Sequence, residues 1–189
     1  GMLHLEIITE RLRREFNMEL ITTLPTTVYE VTRNNGEVLT VYSPVRFPDD
    51  GSIVRIREQW SRLSIYTPSN TLGSIVQLLH EHESQAELTE TLPDGRILMV
   101  AQMPLREMMR GFFDKLKNAS SGFASLSYEP VGLKDADVVR LDILVAEEVM
   151  PAFSRIVSKR RVQEEGEAMV ERLERLLPQQ LFVLKIQAK

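Results

Sequence analysis

What most restricts the fold of this chain is a switch of hydrophobic period, repeated between Trp60 and Pro130. Leu63, Ile65 and their neighbours read as a strand stopped by Pro68. Leu72, Ile75, Val76 and Leu79 fall at helical spacing, with Ser69 or Asn70 as the expected N-cap. Gln85 to Leu92 and Arg96 to Met103 read as two strands joined by Pro93-Asp94-Gly95, a run that favours a tight turn. Pro104 suits a first helical position, and Leu105, Met108, Met109, Phe112, Phe113 and Leu116 supply an apolar helix face after it. Gly122 to Glu129 alternates as a further strand. The order βαββαβ is the split-βαβ, or ferredoxin-like, plan of an α+β protein. Right-handed crossovers would set both helices on one face of a four-stranded antiparallel sheet.

The flanks are less regular. Leu5, Ile8, Leu12 and Phe16 predict an opening helix, and Leu20 to Thr23 a short strand; together they are too little to close a core. Val28 to Thr32 and Glu37 to Tyr42 flank Arg33-Asn34-Asn35-Gly36, a hairpin signal because Asn-Gly tolerates positive φ. Pro44, Pro48 and Asp49-Asp50-Gly51 mark a loop. Val138 to Val145 reads as a strand. Pro151 is expected to open a helix running through Lys159-Arg160-Arg161, with a second helical stripe from Met169 to Leu177 ended by Pro178. Leu181 to Ile186 alternates as a last strand. The divisions that follow are 1–27, 28–59, 60–135 and 136–189.

Composition narrows the chemistry. None of the 189 residues is Cys, which removes disulfides, zinc ribbons, iron–sulfur clusters and thiol nucleophiles together. No apolar run reaches the roughly 18–20 residues of a membrane span, and no leader-like segment suggests export; with no Cys, a reducing, cytoplasmic setting is expected. The net charge of −4 argues against a general nucleic-acid binder. Yet residues 150–189 hold eight Lys/Arg against five Asp/Glu, a basic end on an acidic body.

No phosphate-cradling glycine motif and no G-x-S-x-G elbow occurs. His80 and His82 stand two apart on a helix, facing about 200° away from each other, and cannot share a metal without a bend. Leu79-His80-Glu81-His82-Glu83 therefore reads as a solvated helix end, and His4 as a packing residue. Asp135, Asp137, Glu147 and Glu148 read as turn and surface carboxylates rather than acid–base pairs. The loop Thr67-Pro68-Ser69-Asn70-Thr71 lacks the Arg that acylphosphatase-like catalysis on this fold would need. Lys159-Arg160-Arg161, with Arg155, is the densest positive cluster. Spacing leaves two readings open for it: a phosphate-binding patch, or a solvated face balanced by Glu164 and Glu165. RNP-type aromatics are absent from the strands, so an RNA-recognition-motif reading fails. A small-molecule regulatory module, with a cleft around Pro68 to Gly73, is the alternative class.

The residues also carry a family resemblance. Gly1-Met2-Leu3-His4-Leu5-Glu6-Ile7-Ile8 resembles the G-x-L-H-[LM]-[DE]-I-I signature of ribosomal translocation GTPases. Leu20-Ile21-Thr22-Thr23-Leu24-Pro25-Thr26, Phe112-Phe113-Asp114-Lys115-Leu116-Lys117 and Leu177-Pro178-Gln179-Gln180-Leu181-Phe182 are similar, in family order, to the LepA (elongation factor 4) family. The resemblance implies a portion of such a factor: the end of domain III, a ferredoxin-like domain V and the start of the C-terminal domain special to LepA. It implies no catalysis and no cofactor here, because GTP and magnesium belong to the family's GTP-binding domain. It implies a ribosomal partner (rRNA, ribosomal proteins and tRNA), no DNA, and a cytoplasmic location with some peripheral association with the inner membrane. With rRNA as the implied partner, the charge clustering nominates Lys159, Arg160, Arg161 and Arg155 for contact, then Lys115 and Lys117. The sequence departs from the family pattern at Gln59, at Glu81-His82-Glu83-Ser84 and at Ser158.

Overall fold

The computed structural model describes residues 2–18, 20, 27–48, 51–176 and 185–189. After α1 (Met2–Phe16), a hairpin of β1 (Tyr29–Arg33) and β2 (Val38–Val41) turns at Gly36, whose φ of +83° is the backbone state the Asn-Gly signal anticipates. β3 (Ile53–Pro68) then runs for 16 residues and organises everything around it. Next come α2 (Leu72–Glu81), β4 (Gln85–Thr91) and β5 (Arg96–Pro104). A broken helix follows, made of α3 (Leu105–Glu107), a widened turn over Met108–Phe112 and α4 (Phe113–Ala119). β6 (Ser125–Asp135), β7 (Val138–Leu141), β8 (Ile143–Val145), β9 (Glu148–Val149), β10 (Arg155–Ser158), α5 (Val162–Leu176) and β11 (Ile186–Ala188) complete the order.

The sheet is antiparallel. β5 pairs with β3 from Trp60↔Pro104 to Pro68↔Arg96, and β4 pairs outside β5. β6 follows the opposite edge of β3 from Arg57↔Asp135 to Tyr66↔Ser125. The order β6-β3-β5-β4, with α2 and α4 against it, is the ferredoxin-like arrangement. β1 pairs with Ile53 to Glu58, so β1 and β5 lie end to end along one edge of β3. The first strand of the unit therefore starts at Ile53, not at Trp60. The loop expected before it is shorter, because β1 offers hydrogen bonds that the hydrophobic pattern alone does not reveal.

Among the described residues three apolar clusters hold these layers. Leu63, Ile65, Met99, Met103, Ile75, Met108, Phe112 and others close the main core between sheet and helices. Each such side chain contributes about 1.5–3 kcal/mol when fully buried. Tyr29, Val31, Val41, Phe47 and Val138 form a second cluster, and Ile143, Met169 and Leu173 a third under α5. In α1, by contrast, Ile8 and Phe16 are more than half exposed, so its apolar stripe has no covering layer among the described residues.

Several expectations change in detail. Ser69 and Asn70 form a short turn, and Thr71, not either of them, occupies the cap of α2. Pro104 ends β5, one residue before the helix. The strand expected over Val138 to Val145 divides at Asp142, whose carboxylate accepts from Ser154 and Arg140. The strands expected over Leu20 to Thr23 and Leu181 to Ile186 fall largely outside the described residues, as does Pro178. No described helix is long and apolar enough to cross a membrane.

The seam between α5 and β11 is tight at Gly166. A Cβ there would meet the Ala188 Cβ at 2.9 Å. Helix propensity alone favours Gly166→Ala by about 1 kcal/mol, whereas overpacking costs about 1–3 kcal/mol. Thermal unfolding should therefore show a lower Tm for G166A; a higher Tm would contradict this packing.

Candidate nucleic-acid interface

The basic run lies on a turn rather than in a helix. Pro151 opens only a single short turn (Pro151–Phe153), and β10 then pairs with β7 from Arg155↔Leu141 to Ser158↔Val138. β-branched Ile156 and Val157 fit that pleated, half-buried position better than a helix, and Val157 is buried. Lys159-Arg160-Arg161 forms a tight turn before α5, fixed where the Lys159 N–H donates to the Asp137 carbonyl at 3.0 Å. The expected helix from Pro151 through the cluster is thus replaced by strand, turn and helix.

The turn divides its three cations. Lys159 and Arg160 are exposed. Arg161 points inward: its Nη2 lies 2.5 Å from Glu107 Oε1 and 3.6 Å from Glu165 Oε1, and its Nη1 donates to the Glu81 carbonyl at 3.2 Å. Arg161 is therefore a structural cation and not an open phosphate contact. Arg155 is exposed on β10, and Lys115 and Lys117 are exposed on α4. Lys115 is set apart from Lys159 by its partner, since its Nζ lies 3.3 Å from His82 Nε2.

Beneath the turn is a buried ionic network. Arg106, on α3, reaches Glu58 Oε2 of β3 at 2.9 Å, Glu83 Oε2 at 2.6 Å and its neighbour Glu107. Arg110, in the widened turn, reaches Glu107 Oε2 at 3.1 Å and Glu165 Oε1 of α5 at 3.4 Å. Gly111, at φ +78°, supplies the backbone break that lets Arg110 swing to this side while Phe112 stays in the core. Glu107 Oε2 makes no well-aligned hydrogen bond despite its close neighbours, so it is held by charge rather than by directed bonds.

Burial pushes the Glu107 carboxyl up, but the His82 imidazole and the charges of Arg106, Arg110 and Arg161 outweigh it and hold the group below the usual carboxylate range. Glu83 is likewise lowered: burial works against it, while hydrogen bonds from Ser158 and Arg106 prevail. At Glu58 burial wins over the attraction of Arg106, and its carboxyl is raised. Glu83 also sits at φ +53°, the left-handed position after a helix that glycine usually fills. For a side-chain residue this costs about 1 kcal/mol; the Arg106 and Ser158 contacts hold it there.

His82 is the clearest correction to the sequence reading. It is fully buried, not part of a solvated helix end, while His80 is exposed. Among the described residues no three His, Asp or Glu converge as a metal site. His4 lies in α1, its side chain outside the described set. Two clefts flank the network. One, of about 430 Å³, is lined by Tyr29, Tyr42, Arg110 and Arg155; the other, of about 560 Å³, by Trp60, Glu83 and Arg160. Sequence reasoning missed Glu58, Arg106, Glu107 and Arg110, although charged residues at the mouth of an apolar helix were a usable signal.

Residues 55–144 match the family model described as Elongation factor G C-terminus. Over 188 residues, all of this chain, the sequence is 41% identical to Elongation factor 4 of Helicobacter pylori, covering 31% of that protein. Elongation factor 4 of Helicobacter acinonychis is 40% identical over the same 188 residues, 31% of its length, and that of Wolinella succinogenes 38%, 32% of its length. The chain thus spans about a third of the curated relatives it matches. A solved structure from Thermus thermophilus overlaps 43% of this chain and 12% of its own at 17% identity, with a TM-score of 0.40, too loose to carry an argument.

Removing one partner from a buried ion pair costs about 3–5 kcal/mol, and Glu107→Gln should destabilise the protein on that scale at neutral pH. The lowered native pKa of Glu107 means its stabilisation is present above the ordinary value of 4.5 and is lost as pH falls through the lower native value. Glu58, raised, slopes the opposite way but is present in both proteins. Denaturant midpoints of wild type and E107Q should converge in strongly acidic buffer; a gap independent of pH would contradict the network.

Proposed function

Because this chain belongs to the elongation factor 4 family, we propose that it is a ribosome-docking portion of a translation factor that acts by position and carries out no catalysis itself. GTP hydrolysis, with its magnesium, and any remodelling or back-translocation of ribosomes would be work of the whole factor. A cytoplasmic setting accompanies this reading.

The observation that carries the proposal is the similarity, along the whole of this chain, to about a third of elongation factor 4, to which the exposed cations on the turn before α5 add a physical contact. Lys159 and Arg160 present two exposed positive side chains at the amino end of α5, where the helix dipole also favours anions. Glu164 and Glu165 lie in the first turn of α5, and Arg161 takes up Glu165, which leaves its two neighbours less compensated from that side. Arg155 stands on the same strand-and-turn unit. rRNA phosphates fit this chemistry, and tRNA phosphates would use it equally. Lys115 and Lys117 form a second, weaker set on α4.

The test is charge reversal that spares the network: Lys159→Glu with Arg160→Glu, leaving Arg161 intact. Ribosome co-sedimentation across a salt series should show weaker binding at low salt. The slope of log affinity against log salt should become shallower by about one for each phosphate that the variant no longer neutralises. Unchanged affinity and slope in a variant with wild-type circular dichroism would reject this face as the docking surface.

A further inference from the structure

Glu107, His82 and Lys115 are joined through the two ring nitrogens of the buried imidazole. His82 closes α2, and its ring packs edge-to-face on Phe112 with centroids 5.2 Å apart. Its Nδ1 lies 3.1 Å from the Glu107 carbonyl oxygen and 3.3 Å from Glu107 Oε2. Both neighbours are acceptors, so Nδ1 carries the hydrogen and donates it to the carbonyl. The other nitrogen, Nε2, is then an acceptor, and it faces Lys115 Nζ at 3.3 Å. Lys115 itself is exposed on α4. A solvent-accessible amine thus points one hydrogen at a buried base, and that base is backed by a carboxylate.

We propose that Lys115 is a site of acyl modification, taking its acyl group from a small electrophilic donor, an acyl phosphate or a thioester, with His82 as the base. The Lys115 ammonium first passes a proton to His82 Nε2, and the lone pair this frees attacks the donor carbonyl to form a C–N bond. The C–O bond to phosphate, or the C–S bond to thiolate, breaks, and the leaving group departs with the bonding pair. The second proton leaves the acylated nitrogen to the departing group or to solvent, and the Glu107 carboxylate stabilises the His82 imidazolium until it returns its own proton to solvent. The amide product keeps one N–H, which can still donate to Nε2, so the buried histidine is not orphaned. Modification would erase the Lys115 charge. The reaction requires only the chain and a donor, and does not depend on ribosome binding.

Lys117 is the internal reference: it is exposed on the same helix, about 200° further round. The protein is treated with acetyl phosphate, and acetylation at each lysine is followed by mass spectrometry. Positioned general bases accelerate such steps by two orders of magnitude or more in enzymes; at this open site the initial rate at Lys115 should exceed that at Lys117 by about tenfold. The ratio should fall to near one in concentrated guanidinium chloride, where the alignment is lost, and also in folded His82→Gln. Equal rates in the native protein would overturn the proposal, as would a ratio that survives unfolding or persists in folded H82Q. Should H82Q not fold, the native-to-denatured comparison decides.

Discussion

One buried carboxylate, that of Glu107, sets the terms for much of this structure. It is 1% exposed. Taking such an ion out of water costs several kcal/mol, and only well-placed counter-charges offset the loss. Here the counter-charges come from separate parts of the chain: Arg106 beside it, Arg110 within the widened turn and Arg161 ahead of α5. Each must be in place for the others to be tolerable. The ferredoxin-like unit and the strand-turn-helix that follows it are thereby tied by charge, in addition to the apolar contact of Ile156 with the second core cluster.

This arrangement separates the two jobs of the basic run. Arg161 is spent on cohesion, and Lys159 and Arg160 remain outside. The clustered run therefore overstates the positive charge available to a polyanion, and the phosphate reading and the solvated-face reading each describe part of it. Inward and outward cations on adjacent residues also mean that the exposed pair is held on a turn whose backbone the network fixes. That is a pre-organised presentation rather than a floppy tail.

The core of the fold was legible because its signals are local. Leu63 with Ile65 at period two, Leu72 to Leu79 at helical spacing and Asn-Gly at the hairpin all act within a few residues. The start of β3 at Ile53, the strand at Arg155 to Ser158 and the break at Gly111 were not, because tertiary pairing and a remote ion pair decide them. The network was hidden for the same reason: Glu58, Glu83, Arg106 and Arg161 meet from distant positions. Local hints existed even so. His82, Glu83 and Ser158, where the sequence differs from the pattern of the family it resembles, gather in this one place, and Glu83 there adopts a backbone state suited to glycine.

The central claim is that Glu107 couples two parts of the chain through Arg161. A double-mutant cycle on Glu107→Gln and Arg161→Met, read by denaturant unfolding at neutral pH, measures that coupling directly. An interaction energy of about 1–3 kcal/mol, in the range found for residues sharing a network, is the expected result. Additive effects, with a coupling indistinguishable from zero, would contradict the account.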